Sequence, residues 1–297
     1  MKGFLLSVLF TTILFSPVNA RNYDKVQIKT IKVENNVYML IGAGGNIGIS
    51  TGADGIFMID DQFAPLTEKI KGAVAAISDR PIRFLINTHW HYDHTGGNEK
   101  LGKMGSIIIA HENVRKRLST EQFISFFKAK VPPKAKSGLP VISFTRDVTF
   151  HINEDEIHVF HVANAHTDGD AIIHFRKNNV IHMGDIFFSG MYPFVDLDAG
   201  GSVNGIIDAI KKVLPKMDES TKVIPGHSPL STKSQLKAYL GMLTTLRDRI
   251  RKEIKAGKSL ETIVATRPTK DLDPEWNKGI IKGDAFVKIL YQDLSRR

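Results

Sequence analysis

A chain of 297 residues, 42% hydrophobic and 24% charged, has the composition of a folded globular protein; this excludes a disordered or fibrous chain and leaves room for one large domain or two small ones. The net charge is +9, but Lys and Arg are scattered rather than clustered, which reads as a solvated basic surface and argues against a nucleic-acid partner. With no cysteine, the chain has neither disulfides nor a thiolate metal ligand, so its stability must come from its core.

The first 20 residues read as a signal peptide rather than as part of the fold. Lys2 carries charge, residues 4–15 are apolar, and Val18-Asn19-Ala20 ends the segment with small residues, which predicts cleavage after Ala20. The apolar stretch is shorter than the roughly 20 residues of a comfortable membrane span, so no stable membrane insertion is expected, with an uncleaved anchor as the alternative. The mature protein, from residue 21 onward, is expected in the periplasm or outside the cell.

Residues 37–40, 46–50 and 55–59 read as short strands broken by glycine turns. The run Gly42-Ala43-Gly44-Gly45-Asn46-Ile47-Gly48 has the wrong spacing for a dinucleotide loop and reads as turn glycines. Pro65 opens a helix in which Leu66, Ile70, Val74 and Ile77 recur at helical spacing. A buried strand follows at 81–86, another at 107–109, and a helix at 112–118. Residues 119–141 hold Phe123, Phe126, Phe127, Pro132-Pro133 and several lysines; they read as a loop or short helix, a candidate lid. Strands dominate again from 148 to 183. Helices are predicted at 203–214 and 235–255, on either side of a strand at 223–224, and a helical tail covers about 258–297. Strand-rich blocks alternating with helices in two halves predict an α/β protein with two sheets covered by helices.

The most informative stretch is His89-Trp90-His91-Tyr92-Asp93-His94, directly after the buried strand at 81–86. A core asks for apolar residues there, and a solvated loop has no need of three imidazoles and a carboxylate. Metal ions do, because imidazole and carboxylate are the usual ligands of catalytic zinc, manganese and iron. Three further candidates follow β-like segments: His166 in Ala165-His166-Thr167-Asp168-Gly169-Asp170, Asp185 in His182-Met183-Gly184-Asp185, and His227 in Pro225-Gly226-His227. Loops at strand ends of a rigid scaffold are where site residues converge.

In this order and at these spacings the seven residues resemble the metallo-β-lactamase superfamily, and the likeness extends over nearly all of the mature chain. The resemblance implies an αββα sandwich, two mixed β-sheets flanked by helices, with metals at one edge between the sheets. It places a first metal on His89, His91 and His166, a second on Asp93, His94 and His227, and Asp185 between them. Two Zn²⁺ ions are the implied cofactors, with iron or manganese admitted by an all-nitrogen-and-oxygen donor set. A hydroxide bridging metals about 3.5–4 Å apart would attack a carbonyl centre at neutral pH. Asp93 is the expected catalytic carboxylate, orienting that hydroxide and carrying its proton.

The expected partner is a small-molecule substrate; the oligomeric state stays open. Trp90, Tyr92, Phe188 and Tyr192 are candidate substrate contacts, with core packing as the competing reading. Phe126, Phe127, Phe187 and Phe194 stand under the same alternative. Asp168 and Asp170 either hold the His166 ring or cap a turn, and His111 and His182 are candidates for supporting the ligands. The β-lactamases with a thiolate ligand carry Cys where this chain has Asp185, and many carry Lys where it has Phe188. Asp185 instead resembles the bridging aspartate of thioesterase, lactonase and phosphodiesterase members. The expected function is therefore hydrolysis of an ester, lactone, thioester or amide, with weak β-lactam turnover possible. A phosphodiesterase or nuclease is the alternative, and a non-catalytic metal-binding protein a third reading.

Overall fold

A computed structural model describes residues 22–296; the expected signal peptide, residues 1–20, lies outside the described residues. The strands run in chain order as β1 (Lys29–Glu34), β2 (Val37–Ile41), β3 (Ile47–Ser50), β4 (Ile56–Ile59), β5 (Ile82–Ile86), β6 (Ile107–His111), β7 (Gln122–Ile124), β8 (Ala129–Val131), β9 (Ile142–Phe144), β10 (Asp147–Ile152), β11 (Asp155–His161), β12 (Ala171–Phe175), β13 (Val180–His182), β14 (Lys222–Ile224) and β15 (Ser231–Thr232). One sheet has the order β1-β2-β3-β4-β5-β6-β9 and the other β10-β11-β12-β13-β14-β15. Both are mixed. In the first, β1 to β4 are antiparallel, and β4, β5, β6 and β9 are parallel neighbours. In the second, only β13 and β14 pair in parallel.

Side-chain alternation sorts the layers. In β4, Phe57 and Ile59 meet Val159, Ile173 and Phe175 of the other sheet, while Ile56 and Met58 face Leu66, Ile70 and Val74 of the helix side. That helix, Thr67–Ala75, follows a single turn, Ala64–Leu66, which contains Pro65. The second sheet's outer face, with Phe160, Ile172, Ile181 and Val223, is covered by helices Val203–Val213, Lys233–Lys255 and Gly283–Ser295. The order of layers is helix, sheet, sheet, helix. Each fully buried Ile, Leu or Phe contributes about 1.5–3 kcal/mol, so three stacked apolar layers give a rigid frame. Trp276, together with Phe286 and Leu290 of the last helix, joins this core. Among the described residues, no helix is long and apolar enough to cross a membrane.

The segment 119–141 differs from the loop or short helix expected. It folds as a two-stranded hairpin, β7 paired with β8, with a tight turn at Ser125–Phe127. Ile124 and Val131 face inward onto Trp90, while Phe123 and its cross-strand partner Lys130 face solvent.

Parallel pairing brings strand ends together. β4 and β5 end at the same sheet edge, and β13 and β14 end at the same edge of the second sheet. Loops leaving the carboxyl ends of parallel strands are where an open α/β sheet gathers its ligands.

Candidate metal centre

Each candidate ligand leaves a strand end. The chain exits β5 through Asn87, whose backbone N–H donates to the Ile109 carbonyl at 3.0 Å and whose side-chain amide pairs reciprocally with that of Asn98 at 3.1 and 2.9 Å. His89 and His91 follow in an extended turn. His91 then caps a single helical turn, Tyr92–Thr95, with its carbonyl accepting from His94 N and Thr95 N at 3.1 Å. The cap sends Asp93 and His94 to one side of the bend and His89 and His91 to the other. Asp185 sits on a one-turn helix after β13, His227 just beyond β14, and His166 in the loop after β11.

These side chains converge in two groups. His89, His91, His166 and Asp185 can each present a ligand atom within 4.8 Å of the others, and so can Asp93, His94 and His227. The carboxylate of Asp185 stands between them. Its Oδ2 lies 3.9 Å from His89 Nε2, 3.6 Å from His166 Nε2 and 3.5 Å from His227 Nε2, and its Oδ1 lies 3.1 Å from His94 Nε2. Asp93 Oδ2 lies 3.2 Å from His227 Nε2 at the partly exposed mouth.

The far nitrogen of each buried ring is held, and the holders decide where the lone pairs point. Asp60 accepts the Thr88 hydroxyl at 2.7 Å, which uses that hydroxyl's single proton, so the contact at 3.0 Å between Thr88 Oγ1 and His89 Nδ1 is an N–H donated by the ring. His94 Nδ1–H donates to the same Asp60 at 2.7 Å, His166 Nδ1–H to the Phe194 carbonyl at 2.9 Å, and His91 Nε2–H to Asp196 at 2.9 Å. In the neutral rings the near nitrogens therefore carry lone pairs facing inward. His91 Nδ1 and His166 Nε2 face each other at 2.9 Å, His94 Nε2 and His227 Nε2 at 3.3 Å, and His89 Nε2 is buried with no hydrogen-bond partner. Nitrogens facing at such distances repel unless a proton or a metal ion lies between them. The donor set fits divalent metal.

The electrostatics agree. Burial holds His89 well below the ordinary imidazole pKa and brings His166 down to about 4, so both rings are neutral. Burial also disfavours charge at His94 and His227, yet Asp185 and Asp93 outweigh it. They hold His94 well above its ordinary value and push His227 up to about 9. Asp185, despite burial, is kept well below the usual carboxylate range by His94 and His227. This end of the pocket carries a surplus of carboxylate and draws positive charge.

Residues 33–234 match the family model described as the metallo-beta-lactamase superfamily. The chain belongs to that superfamily. As a member it is a metal-dependent hydrolase. An uncharacterised protein of Aquifex aeolicus (strain VF5) is 26% identical over 168 residues, which covers 55% of this chain and 76% of that one. A hydroxyacylglutathione hydrolase of Pelagibacter ubique is 23% identical over 209 residues, covering 68% of this chain and 70% of that one. The metallo-β-lactamase from Pontibacter korlensis shares the fold with a TM-score of 0.60 at 19% identity, covering 73% of this chain and 99% of that one.

Within this superfamily member, two candidate substrate contacts are placed elsewhere. Tyr192 is 1% exposed; its ring stacks on Phe286 at 5.4 Å and its hydroxyl donates to Asp273 at 3.0 Å, so it belongs to the core of the tail. Trp90 is 2% exposed, packs under the hairpin with Ile124 and Ala199, and meets the His91 ring edge-on at 4.6 Å. It packs against a ring of the candidate ligand set. Tyr92 is 46% exposed beside Phe63, and Phe188 lies flat against His227 at 5.7 Å.

Asp170 caps its loop, accepting His166 N, Thr167 N and the Thr167 hydroxyl, while Asp168 takes a bidentate pair from Arg117. Neither holds the His166 ring. His182 Nδ1 accepts from Gly184 N and so braces the turn bearing Asp185, whereas His111 stacks on His161 at 3.8 Å, away from the ligands.

Sequence reasoning missed Asp60, Thr88 and Asp196, which orient the ligand rings. Asp60 follows an apolar strand, the same signal that flagged Asp185. Asp196 lies in a loop with no such mark. The glycine run also has a tighter role than turning the chain: a Cβ on Gly45 would lie 2.1 Å from the His94 ring.

Proposed function

We propose that the protein is an exported dinuclear zinc hydrolase acting on a carbonyl centre in an ester, lactone, thioester or amide. The observation that carries this reading is the position of Asp185, whose two oxygens reach imidazoles of both ligand groups. His89, His91 and His166 would hold one ion, Asp93, His94 and His227 the other, and Asp185 both; iron or manganese suits the same donors. Such ions supply a water activated at neutral pH and polarise the oxygen under attack.

The chain's own residues do the rest. Asp93, at the mouth beside His227, would take a proton from the attacking water and pass it to the leaving group. Phe188 against His227 and Phe194 beside His91 and His166 shield the centre from bulk water. Phe188 also puts an apolar face where a β-lactam carboxylate would need a cation, so β-lactam turnover is expected to be weak. The hydroxyacylglutathione hydrolase relative supports a thioester among the candidate substrates. The apolar leader at residues 4–15 supports export.

The test is turnover of nitrocefin, a lactone, an acyl thioester and bis-p-nitrophenyl phosphate by the zinc-, iron- and manganese-loaded protein, beside Asp93→Ala. A carbonyl substrate hydrolysed, with kcat falling by about 10²–10⁴ in the variant, supports the reading. Turnover of the phosphate diester alone would make it a phosphodiesterase, and no turnover with any metal would overturn it.

A further inference from the structure

The hairpin β7–β8 is expensive to display. Phe123, Phe126 and Phe127 are 51%, 42% and 45% exposed on ten residues of chain, Phe126 and Phe127 ring to ring at 5.0 Å, and exposed apolar surface of this kind usually marks a binding face. Two of these rings do not point at random. Phe126 and Phe127 meet Phe194 at 5.4 and 5.0 Å, and Phe194 in turn meets the His91 and His166 rings at 5.8 and 5.7 Å. An unbroken chain of aromatic contacts thus runs from the candidate metal ligands out to the hairpin tip.

Beside it lies a cleft of ≈ 410 Å³, with Phe126, Phe194, Val195, Leu197 and Ile289 among its walls. That volume suits a small-molecule site. Ile289 comes from helix Gly283–Ser295, beyond the residues 33–234 that match the family. The charged groups around the cleft, Asp196 and Asp198 against Lys288 and Arg296, balance, so charge selects neither an anion nor a cation there.

Resting on the hydrolase reading above, we propose that Phe126 and Phe127, with Phe194, form the acyl-side wall of the substrate site and select substrates bearing a long apolar acyl group. Trp90 underlies the hairpin through Ile124 and touches His91, so it reports on occupancy of this wall.

Two measurements test this. The first is kcat/KM for p-nitrophenyl acetate, butyrate, hexanoate and octanoate with the zinc-loaded protein and with the double variant Phe126→Ser, Phe127→Ser. Full burial of a methylene corresponds to about fourfold in kcat/KM, so a rise of roughly two- to fourfold per methylene is expected. The octanoate-to-acetate ratio should fall at least about tenfold in the variant. A flat series, or equal loss on both esters, would overturn the proposal. The second needs no activity: octanoate titrated into metal-free protein carrying Trp276→Phe, read by Trp90 fluorescence. A saturable change that acetate does not give, lost in the double serine variant, is expected even if no ester is turned over. No saturable change overturns the proposal. So does hairpin-dependent sedimentation with phosphatidylcholine–phosphatidylglycerol vesicles without any octanoate response, which assigns the rings to a membrane surface.

Discussion

Asp196 accepts the Nε2–H of His91 at 2.9 Å, and that bond leaves Nδ1, facing His166 Nε2, as the nitrogen free for a metal. His89 and His166 are held through Nδ1 instead. The opposite tautomer at His91 is what lets three rings from two loops aim at one point. Asp196→Ala is predicted to weaken metal binding by about 10–100-fold in a chelator competition, with the far-ultraviolet circular dichroism unchanged. Unaltered affinity would show that the ring is oriented by something other than this carboxylate.

Thr88 relays between Asp60 and His89 through one hydroxyl, and Asp60 also accepts Thr88 N at 2.8 Å. Thr88→Val keeps the shape but leaves the His89 N–H buried without an acceptor. The urea midpoint of the metal-free variant should correspond to a loss of about 1–3 kcal/mol. A loss below about 0.5 kcal/mol would mean that water or another group replaces the hydroxyl.

Two glycines predict opposite outcomes for the same substitution. A Cβ on Gly226 would stand 2.0 Å from Asp185 Oδ1, whereas one on Gly241, within the helix Lys233–Lys255, meets nothing within 4 Å. Gly226→Ala should cost about 1–3 kcal/mol and, by moving Asp185, reduce hydrolysis at least about 100-fold. Gly241→Ala should raise stability by about 0.5–1 kcal/mol. Thermal melts and rates of the two variants side by side check both.

His174, paired across the strands with His158, is brought down to about 4 by burial, with Arg176 and His158 adding to the effect. The fold favours the neutral ring, so this contribution is full above the ordinary imidazole pKa near 6.5 and is lost as pH falls toward 4. His174→Gln should reduce the loss of stability between pH 7 and pH 4 by on the order of 1–2 kcal/mol, allowing for solvent screening of a partly exposed ring. Urea midpoints of the metal-free proteins at the two pH values measure it, and an unchanged difference would contradict it.

Much of the fold and the site was legible in the chain because the signals are local. Short apolar runs mark β4, β5, β13 and β14, and His89 to His94 follow β5, Asp185 follows β13 and His227 follows β14. What was not legible depends on distant partners. Nothing near Asp196 announces that it will meet a ring 105 residues away. Tyr192 looked like part of an aromatic cleft because its neighbours in sequence are aromatic, yet its partners Phe286 and Asp273 lie in the tail. The hairpin at 122–131 was hidden by its short strands of three residues each, too short to show a period.

Asp185 stands between the two groups of candidate ligands, where a site for two ions needs a shared carboxylate. The most direct test is the metal content of the protein from residue 21 onward, reconstituted with zinc and freed of excess, measured by mass spectrometry beside Asp185→Ala. Two zinc ions per chain, falling to one or fewer in the variant, is the predicted result; fewer than one per chain in the unaltered protein would contradict it.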